Sequence, residues 1–230
     1  MRTDEIARLL VPFLDTPLTP AQLDAVSAHL DLLLRWNERV NLTAIRRPEE
    51  IVERHFGESF FAAQLLSSRD WSGTIGDLGS GGGFPGVPIA IYAANTHVIL
   101  LESNSKKAAF LRELTRALKT PRVSVYAGRA EEWLRDPRRE QVDVVTLRAV
   151  EKFESTVPLA ASLLRESDDA PGTAPNSKLR DRRIALLIGA SQVESAKALA
   201  PGFDWQPPVP TPKSQSRVVL IGHLSSQESA

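Results

Sequence analysis

Thr74-Ile75-Gly76-Asp77-Leu78-Gly79-Ser80-Gly81-Gly82-Gly83-Phe84-Pro85-Gly86 decides the fold of this 230-residue chain. A short apolar strand runs into an acid, then into a loop nearly free of side chains, then into an apolar helix. Backbone without Cβ lets a ligand lie against the main chain and tolerates positive φ. A second apolar run, His97-Val98-Ile99-Leu100-Leu101, ends in Glu102. A glycine turn after one strand and a carboxylate at the tip of the next is how parallel α/β folds hold an adenosine. Gly81-x-Gly83-x-x-Gly86 formally fits the dinucleotide fingerprint, but Pro85 sits inside it and Asp77 stands ahead of the turn. A carboxylate there repels a pyrophosphate and suits an ammonium group. The ligand expected is therefore cationic and free of phosphate, and S-adenosylmethionine has that chemistry.

Outward from the loop, strands and helices alternate. The pattern reads as strand 74–78, helix 86–93, strand 97–102, helix 105–118, strand 122–126, helix 130–135, strand 142–147 and helix 153–164. Such alternation predicts a parallel sheet covered on both faces, with all strand C-terminal ends on one edge. Asp77, Glu102, Tyr126 and Leu147 fall at or near those ends. Residues 166–181 are polar with Pro and Gly and read as a mobile loop. A strand over 183–188, a helix over 192–200, a Pro-rich stretch at 207–212 and a last strand at 217–221 follow.

Upstream, residues 1–70 read as helical. Leu23, Val26, Leu30, Leu33 and Leu34 fall at helical spacing after Thr19-Pro20, and 49–66 reads as one further helix. The organisation expected is a helical extension (1–70), an α/β domain (71–224) and a tail (225–230).

Bulk composition narrows the chemistry. Hydrophobic content of 42% and charged content of 24% are ordinary for a globular chain. No apolar run reaches the length of a membrane span, and Met1-Arg2-Thr3-Asp4-Glu5 argues against a secretory leader. Cysteine is absent, which removes thiolate nucleophiles and cysteine metal sites and fits a cytoplasmic setting. The four histidines, His29, His55, His97 and His223, show no metal-ligand spacing. Net charge is zero, which speaks mildly against nucleic acid, but 104–122 gathers Lys106, Lys107, Arg112, Arg116, Lys119 and Arg122 against Glu113 alone.

Each loop residue has an expected task. Gly79 and Gly81 permit close approach, and Asp77 suits the ammonium. Glu102 accepts from both ribose hydroxyls, with Ser103 and Asn104 along the adenine edge. Backbone of Ala130 and the Glu131 side chain meet the adenine amino group. Arg148, after the fourth strand, orients a substrate or holds an anion.

These residues also resemble a known family. Trp36-Asn37-Glu38-Arg39-Val40-Asn41-Leu42-Thr43-Ala44-Ile45, Arg54-His55 with Glu58-Ser59, Asp77 to Pro88, and Glu102-Ser103-Asn104-Ser105-Lys106-Lys107 are similar to signatures of the bacterial 16S rRNA guanine-N7 methyltransferases, the glucose-inhibited division protein B family. The resemblance is dense over residues 30–150. It implies a class I, Rossmann-like S-adenosylmethionine-dependent methyltransferase fold, with a seven-stranded, mostly parallel sheet whose last strand is antiparallel. It carries cofactor contacts onto Gly79, Phe84, Glu102, Ala130, Glu131 and Arg148. It implies a guanine N7 in 16S rRNA, naked or in the small ribosomal subunit, as target. Separately, no metal and no membrane partner are expected, and the chain is expected to be a monomer. Lys106, Lys107, Arg46, Arg47 and Arg54 are the candidate phosphate contacts. Ile188-Gly189 stands where the family usually carries Lys-Gly, Leu147 where it often has Ser, and Glu58 where it has Asp. The alternatives are an S-adenosylmethionine-binding RNA protein with weak or lost transfer, and a nicotinamide dehydrogenase.

Overall fold

A computed structural model describes residues 1–66, 68–120, 122–148, 152–164 and 182–225. The stretch 166–181 and all but the first residue of the tail 225–230 lie outside the described residues. Among the described residues no helix is long and apolar enough to cross a membrane.

Helices come first. α1 (Thr3–Leu10) precedes α2 (Pro20–Asn37). Thr19 caps α2: its hydroxyl accepts from the Gln22 N–H, and the Gln22 amide oxygen accepts from the Thr19 N–H. A cap of this kind contributes about 1 kcal/mol. The helix expected over 49–66 is not regular. α3 (Pro48–Ile51) and α4 (Glu58–Leu66) are joined by a π-helical stretch, Val52–Gly57. There the Ser59 hydroxyl donates to the His55 carbonyl at 2.6 Å, competing with the backbone ladder for that acceptor. Widened turns of this type gather at functional sites, and this one carries Arg54 and His55.

The strands are β1 (Thr74–Leu78), β2 (His97–Glu102), β3 (Val123–Ala127), β4 (Val144–Arg148), β5 (Arg183–Gly189), β6 (Phe203–Trp205), β7 (Val209–Pro210) and β8 (Arg217–Leu224). Their order is β3-β2-β1-β4-β5-β8-β6, with β7 also beside β8. The first five pair in parallel and β8 runs antiparallel to β5. The antiparallel last strand is as the resemblance implied. Among the described residues the sheet has eight strands rather than seven, because two short segments, β6 and β7, both pair with β8. Segments of two and three residues carry no readable period, so the sequence showed only a Pro-rich connection there.

Burial alternates along the strands. In β2, Val98 and Leu100 enter one apolar cluster, and Ile99 and Leu101 the other. The first cluster is covered by α1, α2, α4, α5 (Gly86–Tyr92) and α6 (Ser105–Ala117). The second lies under α7 (Ala130–Arg135), α8 (Phe153–Leu163) and α9 (Val193–Leu199). Full burial of each large apolar side chain contributes roughly 1.5–3 kcal/mol. β1 sits between β2 and β4, so the strand order reverses there, and the C-terminal edge at such a reversal is where sheets of this kind bind ligands.

Candidate active site

The loop from β1 to α5 holds glycines with two duties. Gly79 and Gly81 have φ of +73° and +52°. A Cβ on Gly79 would meet nothing within 4 Å, and one on Gly81 only the Gly79 carbonyl at 3.8 Å. Both face open space at the sheet edge. A Cβ on Gly86 would lie 2.6 Å from Leu100 and 2.9 Å from Asp77, so this glycine is demanded by packing.

Asp77 differs from expectation. It is fully buried. Oδ1 accepts from the Thr146 hydroxyl at 2.8 Å and Oδ2 from the Gly86 N–H at 3.3 Å. Its carboxylate is turned to the protein's own groups and positions the loop from within, rather than meeting a ligand's ammonium. Burial pushes its pKa up to about 6, against hydrogen bonds that hold it down. Thr146, the only polar residue in the run Val144-Val145-Thr146-Leu147, was the overlooked signal of this bond.

Glu102 closes the other side of the loop. Oε2 accepts from the Gly81 N–H at 2.9 Å and Oε1 from the Asn104 N–H at 2.8 Å. Two backbone donors thus aim a carboxylate beside the open glycines, and each oxygen keeps a lone pair for a hydroxyl. The Asn104 side chain caps α6, accepting from Lys106 and Lys107 N–H at 3.0 and 3.1 Å; it is engaged as a cap rather than held for a ligand edge. Ser103 is exposed beside it. Ala130 and Glu131 open α7, buried and exposed respectively. The turn before them is tied to β2 by Gly128 N–H donating to the Glu102 carbonyl at 3.1 Å.

Phe84 stands at the back of the loop. Its ring stacks on His29 at 4.8 Å and meets Phe56 edge-on at 4.9 Å, leaving it 7% exposed. His29 Nε2–H donates to the Gly82 carbonyl at 2.8 Å, pinning the loop to α2. Burial pushes its pKa down to about 4, so the ring is neutral. The sequence gave this lone histidine no role.

Arg148, at the end of β4, is held by three acceptors from the π-helical stretch and α4. Nη1–H donates to His55 Nδ1 at 2.6 Å, and Nη2–H to the Arg54 carbonyl at 2.7 Å and to Glu58 Oε2 at 3.2 Å. A guanidinium only donates, so His55 Nδ1 is the acceptor and Nε2 carries the proton. Nε2–H then donates to Thr43 Oγ1 at 2.7 Å. Burial first, then the Arg148 charge, pushes the His55 pKa down to about 2. Asn37 fixes the Thr43 turn, accepting from Leu42 and Thr43 N–H at 2.8 and 3.1 Å and donating to the Thr43 carbonyl at 2.9 Å. The Trp36-to-Ile45 string is therefore the far end of a polar chain that orients Arg148.

The basic candidates separate. Arg54 joins the Arg148 group. Arg46 is exposed but donates to the Asn37 carbonyl at 3.1 Å, and Arg47 stands 3.9 Å from Glu49. Lys106 lines a surface groove of about 660 Å³ with Arg35, Trp36 and Arg39, between α2 and α6. Lys107 follows it in the first turn of α6. Arg217, missed in the sequence, reaches Glu58 from β8.

A family model described as rRNA small subunit methyltransferase G matches residues 22–170. The chain is 38% identical over 229 residues to a protein named ribosomal RNA small subunit methyltransferase G from Roseiflexus castenholzii, covering 95% of this chain and 97% of that one. It is 33% identical over 196 residues to the protein of that name from Desulfitobacterium hafniense, covering 84% and 80%. Among solved structures, precorrin-6y C5,15-methyltransferase from Geobacter metallireducens superposes with a TM-score of 0.53 at 15% identity, over 74% of this chain and 88% of that one. P. horikoshii TYW2 in complex with MeSAdo does so at 0.52 and 19%, over 75% and 63%. At such identities these two structures speak to the fold alone, which is that of class I methyltransferases.

Proposed function

The chain belongs to the small-subunit rRNA methyltransferase G family, and from that premise we propose that it methylates N7 of a guanine in 16S rRNA, in the decoding-region loop. S-adenosylmethionine is its cofactor. The observation that carries the reading is the pairing of Gly79 and Gly81, open above their backbone, with the Glu102 carboxylate aimed beside them. A Cβ would fill that cradle, and the carboxylate suits the two hydroxyls of a ribose. Residues 71–224 form the transferase unit in this reading, and 1–70 a helical extension that holds its loop and its arginine.

S-adenosylmethionine supplies an electrophilic methyl group on a sulfonium. Guanine N7 carries its lone pair in the ring plane, so no residue has to remove a proton. That agrees with a site that has neither thiolate nor acid–base dyad. The work left to the protein is alignment, which can supply roughly 7–11 kcal/mol. The loop and Glu102 hold one reactant, with Ala130 and Glu131 at its base, and the Arg148 side of the sheet edge receives the other. N7 lies on the Hoogsteen edge, so the target base must be unpaired or splayed out. Its product is cationic, and nearby carboxylates favour it.

Methyl transfer from tritiated S-adenosylmethionine to small ribosomal subunits lacking the modification tests this, with mass mapping of the labelled nucleotide. Label in 7-methylguanosine is expected. Label in another base, or none, rejects the N7 assignment. Ile188 lies in the second apolar cluster, so the weaker-transferase alternative rests on the lysine it replaces, and the turnover in the same assay separates the two.

A further inference from the structure

We propose that Arg217, with Arg54 and Arg148, forms a seat for a backbone phosphate of the RNA on the β4–β5–β8 side of the sheet edge. The proposal rests on the RNA substrate named above and adds the site that grips it.

Three guanidiniums from three elements converge on one carboxylate. Arg217 Nε–H donates to Glu58 Oε2 at 3.0 Å, Arg148 Nη2–H to the same oxygen at 3.2 Å, and Arg54 Nε lies 3.8 Å from Oε1. Glu58 is 4% exposed and can balance one of the three charges. Glu50, 3.8 Å from Arg54 on the outer side, balances a second. His55 is neutral and adds none. Among the described residues the group therefore holds one cation more than its anions. It also holds a spare donor: the Arg148 Nε–H is buried without a partner among the described residues. A surplus cation and a buried N–H without a partner call for an oxyanion.

Access is graded. The side chain of Arg148 is 8% exposed, that of Arg217 21% and that of Arg54 47%. The deep guanidinium is fixed, and the outer two can turn toward a ligand. The position also fits. Arg217 begins β8, which pairs Arg217 with Gly189 at the end of β5, so it stands on the same sheet edge as the glycine loop. Glu102 lies at the end of β2, on the far side of β1 from β4 and β5. Glu102 and Arg217 thus stand on opposite sides of the point where strand order reverses. Arginine forks match phosphate oxygens, which makes a phosphodiester the occupant.

The competing source of an oxyanion is the carboxylate of the cofactor's own methionine. Arg217→Gln and Arg217→Lys distinguish them. Binding of S-adenosylhomocysteine is measured by calorimetry, and binding of a single-stranded rRNA-loop oligonucleotide across a salt series. Thermal melts confirm that both variants fold. We expect Arg217→Gln to keep S-adenosylhomocysteine affinity within twofold and to weaken RNA about tenfold. The slope of log K against log salt should fall by about 0.7, the loss of one single-strand phosphate contact, and Arg217→Lys should recover most of it. Weakened S-adenosylhomocysteine binding with unchanged RNA binding overturns the proposal, as does an unchanged salt slope. The RNA measurement needs no turnover. A chain that binds RNA through Arg217 yet transfers no methyl to guanine would reject the reaction and keep the seat.

Discussion

Gly81 and Gly86 share one loop and answer to different constraints. Above Gly81 there is only space for a ligand; beside Gly86 there are Leu100 and Asp77. Gly81→Asp should leave the fold near intact, at a cost of about 1–2 kcal/mol for a side chain at positive φ, and should abolish S-adenosylhomocysteine binding in calorimetry. Gly86→Ala should do the reverse, lowering stability by about 1–3 kcal/mol through overpacking while any folded fraction still binds. Equal effects of the two changes on binding would mean that the open side of the loop is misassigned. Asp77 supplies a pH signature. Its folded pKa is raised, to about 6 from an ordinary value of 3.8, so the fold favours the protonated acid. That contribution is complete below about pH 4 and is lost as pH rises through 6. Asp77→Asn removes the titration. The stability of the variant relative to the parent should therefore climb by up to about 3 kcal/mol between pH 4 and 7, read from chemical denaturation at each pH. A flat difference would show that Asp77 is not desolvated.

At the scale of elements, the polar chain from Asn37 through Thr43 and His55 gives the polar residues at the end of α2 and in the π-helical stretch a shared task. Asn37 makes three hydrogen bonds to the 42–43 turn. At about 1 kcal/mol each, Asn37→Ala should cost roughly 2–3 kcal/mol in urea denaturation and speed amide exchange at Leu42 and Thr43. A change below about 0.5 kcal/mol would mean the turn holds itself. The strands and the capped helices were legible because periodicity and capping are local. Thr19-Pro20 announces α2, and the alternation after Gly73 announces the parallel sheet. The π-helical stretch at Val52–Gly57 was not legible. Its apolar stripe reads as a regular helix, and the competing acceptor at His55 involves a hydroxyl whose rotamer no spacing rule reports.

Across the whole molecule, the meeting of the glycine loop with Glu102 and the place of Arg148 after β4 could be read from sequence, and the partners that Arg148 and Asp77 take could not. Gly79, Gly81 and Glu102 lie within one strand–loop–helix–strand unit, so their meeting follows from the parallel topology. Thr146 meets Asp77 across 69 positions and Arg217 meets Glu58 across 159. Such pairs depend on strand order and register, which composition and period do not encode. Zero net charge likewise conceals the separation of cations onto particular edges, Lys106 and Lys107 at the start of α6 and the three arginines around Glu58.

Because β8 runs against its neighbour, its first residue rather than its last reaches the working edge. The glycine loop and Glu102 come early in chain order, and Arg217 comes only with β8, after every other strand. A growing chain halted before the final strand would carry the nucleoside cradle without the third guanidinium. Under the proposed seat, nucleoside binding and the full grip on RNA would thus be acquired at different stages of chain growth.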